Sequence, residues 1–481
     1  MIAGIIRNVT YLLGAEVFSK LINIIFFAFL ARHLSVYDSG IYITLLTYIS
    51  FGLFFSDPGL SQTLIRNISQ DQSKASVELK QGLILSFCFC LVVWVTMVGL
   101  AYALYVPEKL ISLLILSGIF LGLQSWAEMM SAFIRSRQRM DIIAIGNSIS
   151  LVLSSSLGIY LLLMGFSLVE LMLVIIFQGL FSLVFFGKVA LRLGLTFPKI
   201  KGDLRATINF LKDALPLGIL IGCGVALNRI DLFMISQIKG MSDTAIYGMA
   251  VKLIDSLSLI SSPILAVLFP FFSSRWGKSV SEIEKVYAWS MKFFLILGLL
   301  SAVSVSFFSK EIINLFFGPK FIGSALPLNI LIWSFLFYMM GAPLGIIILI
   351  ERNKVLRFLP YAIGVVIFNI LLNFWLISRY SYVGASVSTF LCSVILFKLK
   401  IDYVNKYFLT KFSFFRVFMK PFLSAALMFL VLWLTKDMGM LISLLVGVFA
   451  FIAGLHALGE LKVKDLLFGK VNIKNNTTPI L

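Results

Sequence analysis

NIIFFAFLARHLSVYDSGIYITLLTYISFGLFFSDPGL, residues 23–60, recurs without a gap 205 positions later, as residues 228–265. Asn23 falls on Asn228, Ile25 on Ile230, Asp38 on Asp243, Ile41 on Ile246 and Tyr42 on Tyr247. Ile49, Ser56, Pro58 and Leu60 fall on Ile254, Ser261, Pro263 and Leu265. Asn, Asp, Tyr and Pro among these identities argue against shared apolar bias as their whole cause. Both segments also stand at the same stage of an apolar, membrane-spanning pattern. A membrane protein built from two similar halves suggests a site between the halves that opens to either side in turn, the plan of many transporters.

Composition points the same way. The 481-residue chain is 60% hydrophobic and 13% charged, with a mean hydropathy of +1.02. A soluble domain carries about 25% charged residues. Apolar runs of about 20 residues, each enough to cross the hydrocarbon as a helix, recur throughout. We read fourteen spans, near 9–30, 40–61, 81–105, 110–134, 142–164, 169–190, 214–238, 245–270, 288–309, 326–350, 358–378, 382–402, 418–435 and 440–459. The alternating pattern of a membrane β-barrel is absent. The expected fold is an all-α polytopic membrane protein of about 14 transmembrane helices. Two six-helix lobes in parallel repeat surround a central cavity, and two extra helices follow. Residues 1–190 form the first lobe, 191–213 a basic linker, 214–405 the second lobe, and 406–481 the extra helices and tail. An even number of spans separates the copies, so both halves share one orientation.

The formal charge of +18 invites a nucleic-acid reading, but its distribution argues against one. With the N-terminus inside, most Lys and Arg fall in inside loops, as the positive-inside rule requires, which predicts both termini in the cytoplasm. The basic runs Lys188–Lys212 and Lys398–Lys420 read as topology signals that can also touch anionic lipid headgroups. The first span begins early and carries Glu16 and Lys20, so it is expected to stay as a membrane anchor. The four cysteines lie in spans, and the two histidines, His33 and His456, are far apart; no metal spacing exists.

Ionisable residues inside apolar spans are costly, so each is expected to face a cavity or a partner. Here they are Glu16, Lys20, Asp57, Glu128, Arg229, Asp231, Lys252 and Asp255. Glu16, Lys20 and Asn23 share one helix face, with Lys20 near the midplane. Lys252 and Asp255, three apart, are spaced to pair. Arg229 and Asp231, two apart, cannot face the same way, so one looks to another helix. In the functional reading Lys20, Arg229 and Lys252 line a central cavity, with Arg32 and Arg66 toward its mouths and Asn23 and Asn228 beside them. Glu16, Asp231 and Asp255 tune those charges or accept a coupling ion. Such a cavity suits a phosphate- or carboxylate-bearing substrate. The bland reading is a set of ion pairs that fix helix packing. Asn147, Ser150, Ser154, Asn369 and Asn373 suit sugar hydroxyls, but are more commonly interhelical hydrogen bonds. The small-residue pairs Gly118/Gly122, Gly218/Gly222 and Gly341/Gly345 read as packing.

The repeat also carries a resemblance. Leu30-Ala31-Arg32-His33-Leu34, Asp38-Ser39-Gly40-Ile41-Tyr42, Ser56-Asp57-Pro58-Gly59-Leu60 and Arg66 resemble the N-terminal signature of polysaccharide-transport flippases. Asn228-Arg229-Ile230-Asp231, Ala245-Ile246-Tyr247, Leu268-Phe269-Pro270 and the basic hinge Arg135-Ser136-Arg137-Gln138-Arg139 fit the same pattern. The family is the O-antigen (Wzx-type) lipid-linked oligosaccharide flippase group of the multidrug/oligosaccharidyl-lipid/polysaccharide exporter superfamily. The likeness is strongest over residues 1–290.

The resemblance implies a V-shaped two-lobe bundle in the bacterial inner membrane. It would flip undecaprenyl-pyrophosphate-linked oligosaccharide, an O-antigen or capsule-type repeat unit, to the periplasmic leaflet by alternating access. Arg32, Arg66 and Arg229 stand at motif positions; Lys20 and Lys252 do not. It implies no cofactor beyond a coupling proton or sodium ion, which Asp231 or Asp255 would bind. The implied partners are the lipid-linked glycan, membrane lipids and other polysaccharide-assembly membrane proteins, with no nucleic acid. The rival readings are a multidrug cation antiporter of the same superfamily and a membrane polysaccharide polymerase. The first wants an acidic, aromatic-lined cavity. The second wants a large catalytic outside loop, and no nucleophile–base constellation stands out, so the chain is not read as an enzyme.

Overall fold

The computed structural model describes residues 2–195, 204–275, 280–349, 352–407 and 414–460. Part of the expected linker, residues 196–203, and the tail beyond residue 460 lie outside them.

The first half contains α1 (Ile2–His33), α2 (Val36–Ser56), the short amphipathic α3 (Leu60–Gln70), α4 (Ala75–Ala103), α5 (Glu108–Ser136), α6 (Met140–Leu163) and α7 (Leu168–Arg192). The second contains α8 (Leu204–Ile238), α9 (Met241–Leu257), α10 (Ser262–Arg275), α11 (Val280–Phe307), the short α12 (Ser309–Phe317), α13 (Ala325–Leu349) and α14 (Arg352–Tyr407). Two more, α15 (Phe414–Leu434) and α16 (Met440–Ala457), follow. Eleven helices among the described residues are long and apolar enough to cross a membrane, so the chain is an all-α, multi-pass membrane protein.

Four expected spans have a different local form. The second stops at Ser56, where Asp57-Pro58-Gly59 turns the chain. The Asp57 carboxylate accepts the Ser61 amide at 3.0 Å, which caps α3. The eighth is broken at residues 258–261 into α9 and α10, with Pro263 just after the break. The eleventh and twelfth are the two arms of α14, reversed at Ser381, whose φ is +50°. A Cβ on Gly384 would lie 2.3 Å from the Leu376 carbonyl, a measure of how sharply the arms fold back. The Ser381 hydroxyl donates to the Asp243 carboxylate and pins that reversal to the start of α9.

The equivalent helices of the repeat, α2 and α9, pack against each other. A Cβ on Gly248 would sit 2.7 Å from the Ile43 side chain, and these two positions are equivalent in the repeat. Toward the α1–α2 turn, one continuous apolar core joins both halves: Leu30, Ile41, Leu45, Tyr247, Ala250 and Phe317 all belong to it. Toward the α2–α3 turn the core divides. One part holds Leu60, Leu64, Met129 and Phe133 of the first half. The other holds Phe272, Phe294, Met339 and Phe451 of the second.

Helix α8 bridges the two parts, because Phe210 and Ala214 near its start pack with the first half. That contact needs glycine on both sides. Gly59 has φ +85°, and a Cβ on Gly218 would lie 2.3 Å from the Pro58 carbonyl oxygen. Gly222 likewise gives room to Phe54, and Gly118 to Trp94. The Gly341/Gly345 pair lies against the Lys400 side chain, whose ammonium donates to the Gly341 carbonyl at 3.3 Å.

Most span hydroxyls bond a carbonyl one turn back on their own helix, as Ser154 does with Leu151, and a few polar residues bond across helices or helix arms. Ser150 meets Ser182 at 3.2 Å, and Asn369 donates to Ser388 at 3.2 Å. Glu128 pairs with Arg135 at 2.8 Å. Near the end of α16, Glu460 ties α11 to α15 through Lys292 and Lys420. Burial alone would raise its carboxyl; the two ammonium groups overcome that and hold it below the ordinary glutamate value.

Candidate functional site

Helices α1, α8 and α9 meet around a cavity of about 170 Å³, with Phe317 of α12 at its edge. Lys20, Asn23, Ile24 and Phe27 face it from α1, because they recur at the three- and four-residue spacing of one helix face. Arg229 enters from α8, and Lys252, Leu253, Asp255 and Ser256 from α9. Ile24 and Arg229 are equivalent positions of the repeat, so the cavity lies between the halves.

Its charges are linked across helices. The Arg229 guanidinium pairs with Asp255 Oδ2 at 3.1 Å. The Lys20 ammonium donates to the Asp255 backbone carbonyl at 3.1 Å, in the last turn of α9 where carbonyls are left over. The Lys252 ammonium sits 4.4 Å above the Phe27 ring, a cation–π contact. Lys252 and Asp255 therefore do not form the pair their spacing suggests; Asp255 turns to α8 and Lys252 to α1. Three cations line the cavity against one carboxylate. Arg229 spends one side of its fork on Asp255 and is about a quarter exposed, which leaves N–H groups directed into the cavity region.

The remaining candidate residues lie elsewhere. Glu16 is one turn from Lys20 and outside the cavity lining. Asn228 is exposed and bonds back to the Gly224 carbonyl. Arg66, on α3, meets Asp213 of α8 at 3.7 Å near the divided end of the core. Arg32 ends α1 at the opposite end and donates to the Leu315 carbonyl at 2.7 Å.

Asp231 points away from Arg229 into the second half, where it is 3% exposed. It accepts from the Tyr247 hydroxyl, from Thr389 Oγ1 at 3.2 Å and from the Leu232 amide at 2.8 Å. Asn369 and Asn373 lie on the neighbouring arm of α14. Asp231 thus belongs to a closed polar cluster between α8, α9 and α14, separate from the cavity.

Sequence reasoning missed Phe27 and Phe317, which look like any other apolar span residue. It missed Tyr247 and Thr389 as partners of Asp231, although Tyr247 was visible as a repeat identity with Tyr42. Lys400 also escaped notice at the end of its span. No group of three or more His, Cys, Asp or Glu residues able to hold a metal occurs among the described residues.

Comparison with known proteins places this geometry. A family model described as "Polysaccharide biosynthesis protein" matches residues 5–276. An uncharacterized membrane protein of Methanocaldococcus jannaschii is 27% identical over 223 residues, 44% of this chain and 43% of that protein. The matched part thus spans less than half of that relative's length. Among solved structures, lipid II flippase MurJ in an inward closed conformation superposes with a TM-score of 0.66 at 15% identity. The match covers 92% of this chain and 97% of that one. An inward-facing multidrug resistance MATE family transporter of the MOP superfamily superposes with a TM-score of 0.56 at 16% identity, covering 83% and 95%. The fold is the one these structures share.

Proposed function

We propose, on the premise that the chain belongs to the polysaccharide biosynthesis protein family, that it is a flippase that carries a polyprenyl-pyrophosphate-linked oligosaccharide across the membrane. One observation carries the reading: the cavity between the halves holds Lys20, Arg229 and Lys252 against the single carboxylate of Asp255. In a low-dielectric site such an excess of cations favours an anionic group, and guanidinium with ammonium suits a pyrophosphate. The same excess speaks against a cationic drug as substrate. The likeness to a lipid II flippase, a protein named for a lipid-borne substrate, supports a lipid-linked cargo. The α1–α2 turn would lie on the periplasmic side of a bacterial inner membrane, with the termini in the cytoplasm, and transport would run outward.

The test is deletion of the gene followed by lipid extraction. Polyprenyl-pyrophosphate-linked repeat units should accumulate in the inner leaflet and clear on re-expression. Altered sensitivity to cationic drugs without that accumulation would move the protein to the antiporter class.

Within this reading Lys20 acts as a point charge. Lys20→Ala should lower export about tenfold, the loss expected of one charged hydrogen bond, while Lys20→Arg keeps most of it. Equal loss in both variants would identify Lys20 as a packing residue.

Asp231 is the better candidate for the coupling ion, because Asp255 is already engaged by Arg229. Its carboxylate is buried among hydroxyl donors and can take a proton or a small cation only if those donors rearrange. Asp231→Asn should leave the lipid-linked glycan bound but uncouple export from the ion gradient. Export that still collapses with the gradient in this variant would exclude Asp231.

A further inference from the structure

A larger cleft of about 490 Å³ lies between α1 and α12, on the side of the shared core. Its walls are Ile24, Ile25, Ala28 and Phe29 of α1 with Leu315 and Phe316 of α12. Ile24 also lines the cationic cavity, so the cleft adjoins it. Ile25 and Leu315 are each about half exposed, so the cleft opens laterally on the surface of a membrane-spanning helix.

Arg32 and His33 line its far lip, and Lys320 adjoins that lip through its bond to the Arg32 carbonyl. Arg32 donates to the Leu315 carbonyl at 2.7 Å, and the Lys320 ammonium donates to the Arg32 carbonyl at 3.4 Å. Both side chains are exposed, and among the described residues neither is ion-paired with a carboxylate. An apolar cleft capped by unpaired cations where α1 ends matches a lipid: hydrocarbon below, phosphate at the lip.

We propose that this cleft binds the polyprenyl chain of a phosphate-bearing lipid, with Arg32 and Lys320 holding its phosphate. The inference rests on the flippase reading and deepens it, since a carrier whose head has passed the cavity would find its lateral way out here. The cleft is a single furrow between two helices and takes one chain. A glycerophospholipid would leave its second acyl chain outside. Arg32 is thereby a binding residue of the exit side, apart from the Lys20–Arg229–Lys252 cavity.

The test uses the full chain in phosphatidylcholine vesicles with radiolabelled undecaprenyl phosphate as probe. A photoreactive benzoylphenylalanine replaces Leu315 or, as a reference on the exposed face of α16, Leu445. Labelling at position 315 should exceed that at 445, and unlabelled undecaprenyl phosphate should compete while phosphatidylglycerol does not. The double variant R32A/K320A should lower labelling about tenfold or more, as expected for two lost charged contacts. Ala28→Trp, which fills the cleft and leaves both cations, should lower it as well.

Labelling at 315 no stronger than at 445, or equal competition by phosphatidylglycerol, would overturn the proposal. The readout needs neither glycan nor transport. Strong labelling beside normal glycan distribution in the deletion strain would therefore sink the flippase reading and leave the groove. Glycan accumulation in that strain without labelling would sink the groove alone.

Discussion

Arg229→Ala is expected to abolish glycan export while the protein remains inserted and abundant. Arg229 is the only lining residue able to offer a planar fork to a phosphate, and Lys20 and Lys252 act as point charges. Its removal has two consequences. The substrate loses one or two charged hydrogen bonds, each worth about tenfold to a hundredfold in binding. The Asp255 carboxylate, now without the partner 3.1 Å away, is left facing the position of the substrate's negative charge. The second effect can be separated from the first. The double variant R229A/D255N removes the orphaned carboxylate and restores the balance of charge, but not the fork. It should recover part of the export, and Arg229→Lys should do somewhat better than Arg229→Ala. Full recovery in R229A/D255N would mean that Arg229 serves only as the counter-ion of Asp255. Export by Arg229→Ala at the unmodified level would remove it from the site altogether.

How much of this was legible in the sequence follows from the distances involved. Hydropathy found the apolar helices that are long enough to cross a membrane, because that signal lies along the chain. Hydropathy did not find where helices stop. Residues 40–61 read as one apolar span, yet Asp57-Pro58-Gly59 ends α2, since Gly59 takes a left-handed conformation and Asp57 caps the next helix. Helical spacing put Glu16, Lys20 and Asn23 on one face, and of these Lys20 and Asn23 line the cavity while Glu16 does not. It also required Arg229 and Asp231 to part, and they do.

Spacing failed where two partners competed. Lys252 and Asp255 are near enough to pair, but Arg229 on another helix takes Asp255, and the Phe27 ring takes Lys252. No local pattern holds that choice, because it depends on the crossing of α8, α9 and α1. Lys400 was illegible for the same reason. Its ammonium bonds the Gly341 carbonyl, on a helix earlier in the chain.

The second large effect is expected at Gly40, where α2 meets the first residue of α9. A Cβ there would lie 1.8 Å from the Met241 carbonyl oxygen and 2.5 Å from its carbonyl carbon. The obstructing atoms are backbone, so no rotamer change can relieve the clash. The seam is also tied by Thr44 Oγ1, 3.3 Å from the Met241 sulfur, and by Ile43 against Gly248. Overpacking of this kind typically costs about 1–3 kcal/mol, and here it falls on one side of a conformational balance. The halves share a single core at this end and have separate cores at the other. A wedge at the shared end should therefore favour the form in which that end is open. In a background where the native cysteines are replaced, Asn23→Cys reports the cavity to a membrane-impermeant maleimide. Gly40→Ala should raise labelling from the α1–α2 turn side about tenfold and lower export, because the protein would rest in one form. Gly122→Ala is the control, since nothing lies within 4 Å of a Cβ there. It should leave both readouts unchanged. If Gly40→Ala labels and exports like the unmodified chain, the seam yields without opening, and the shared core is not what closes that end.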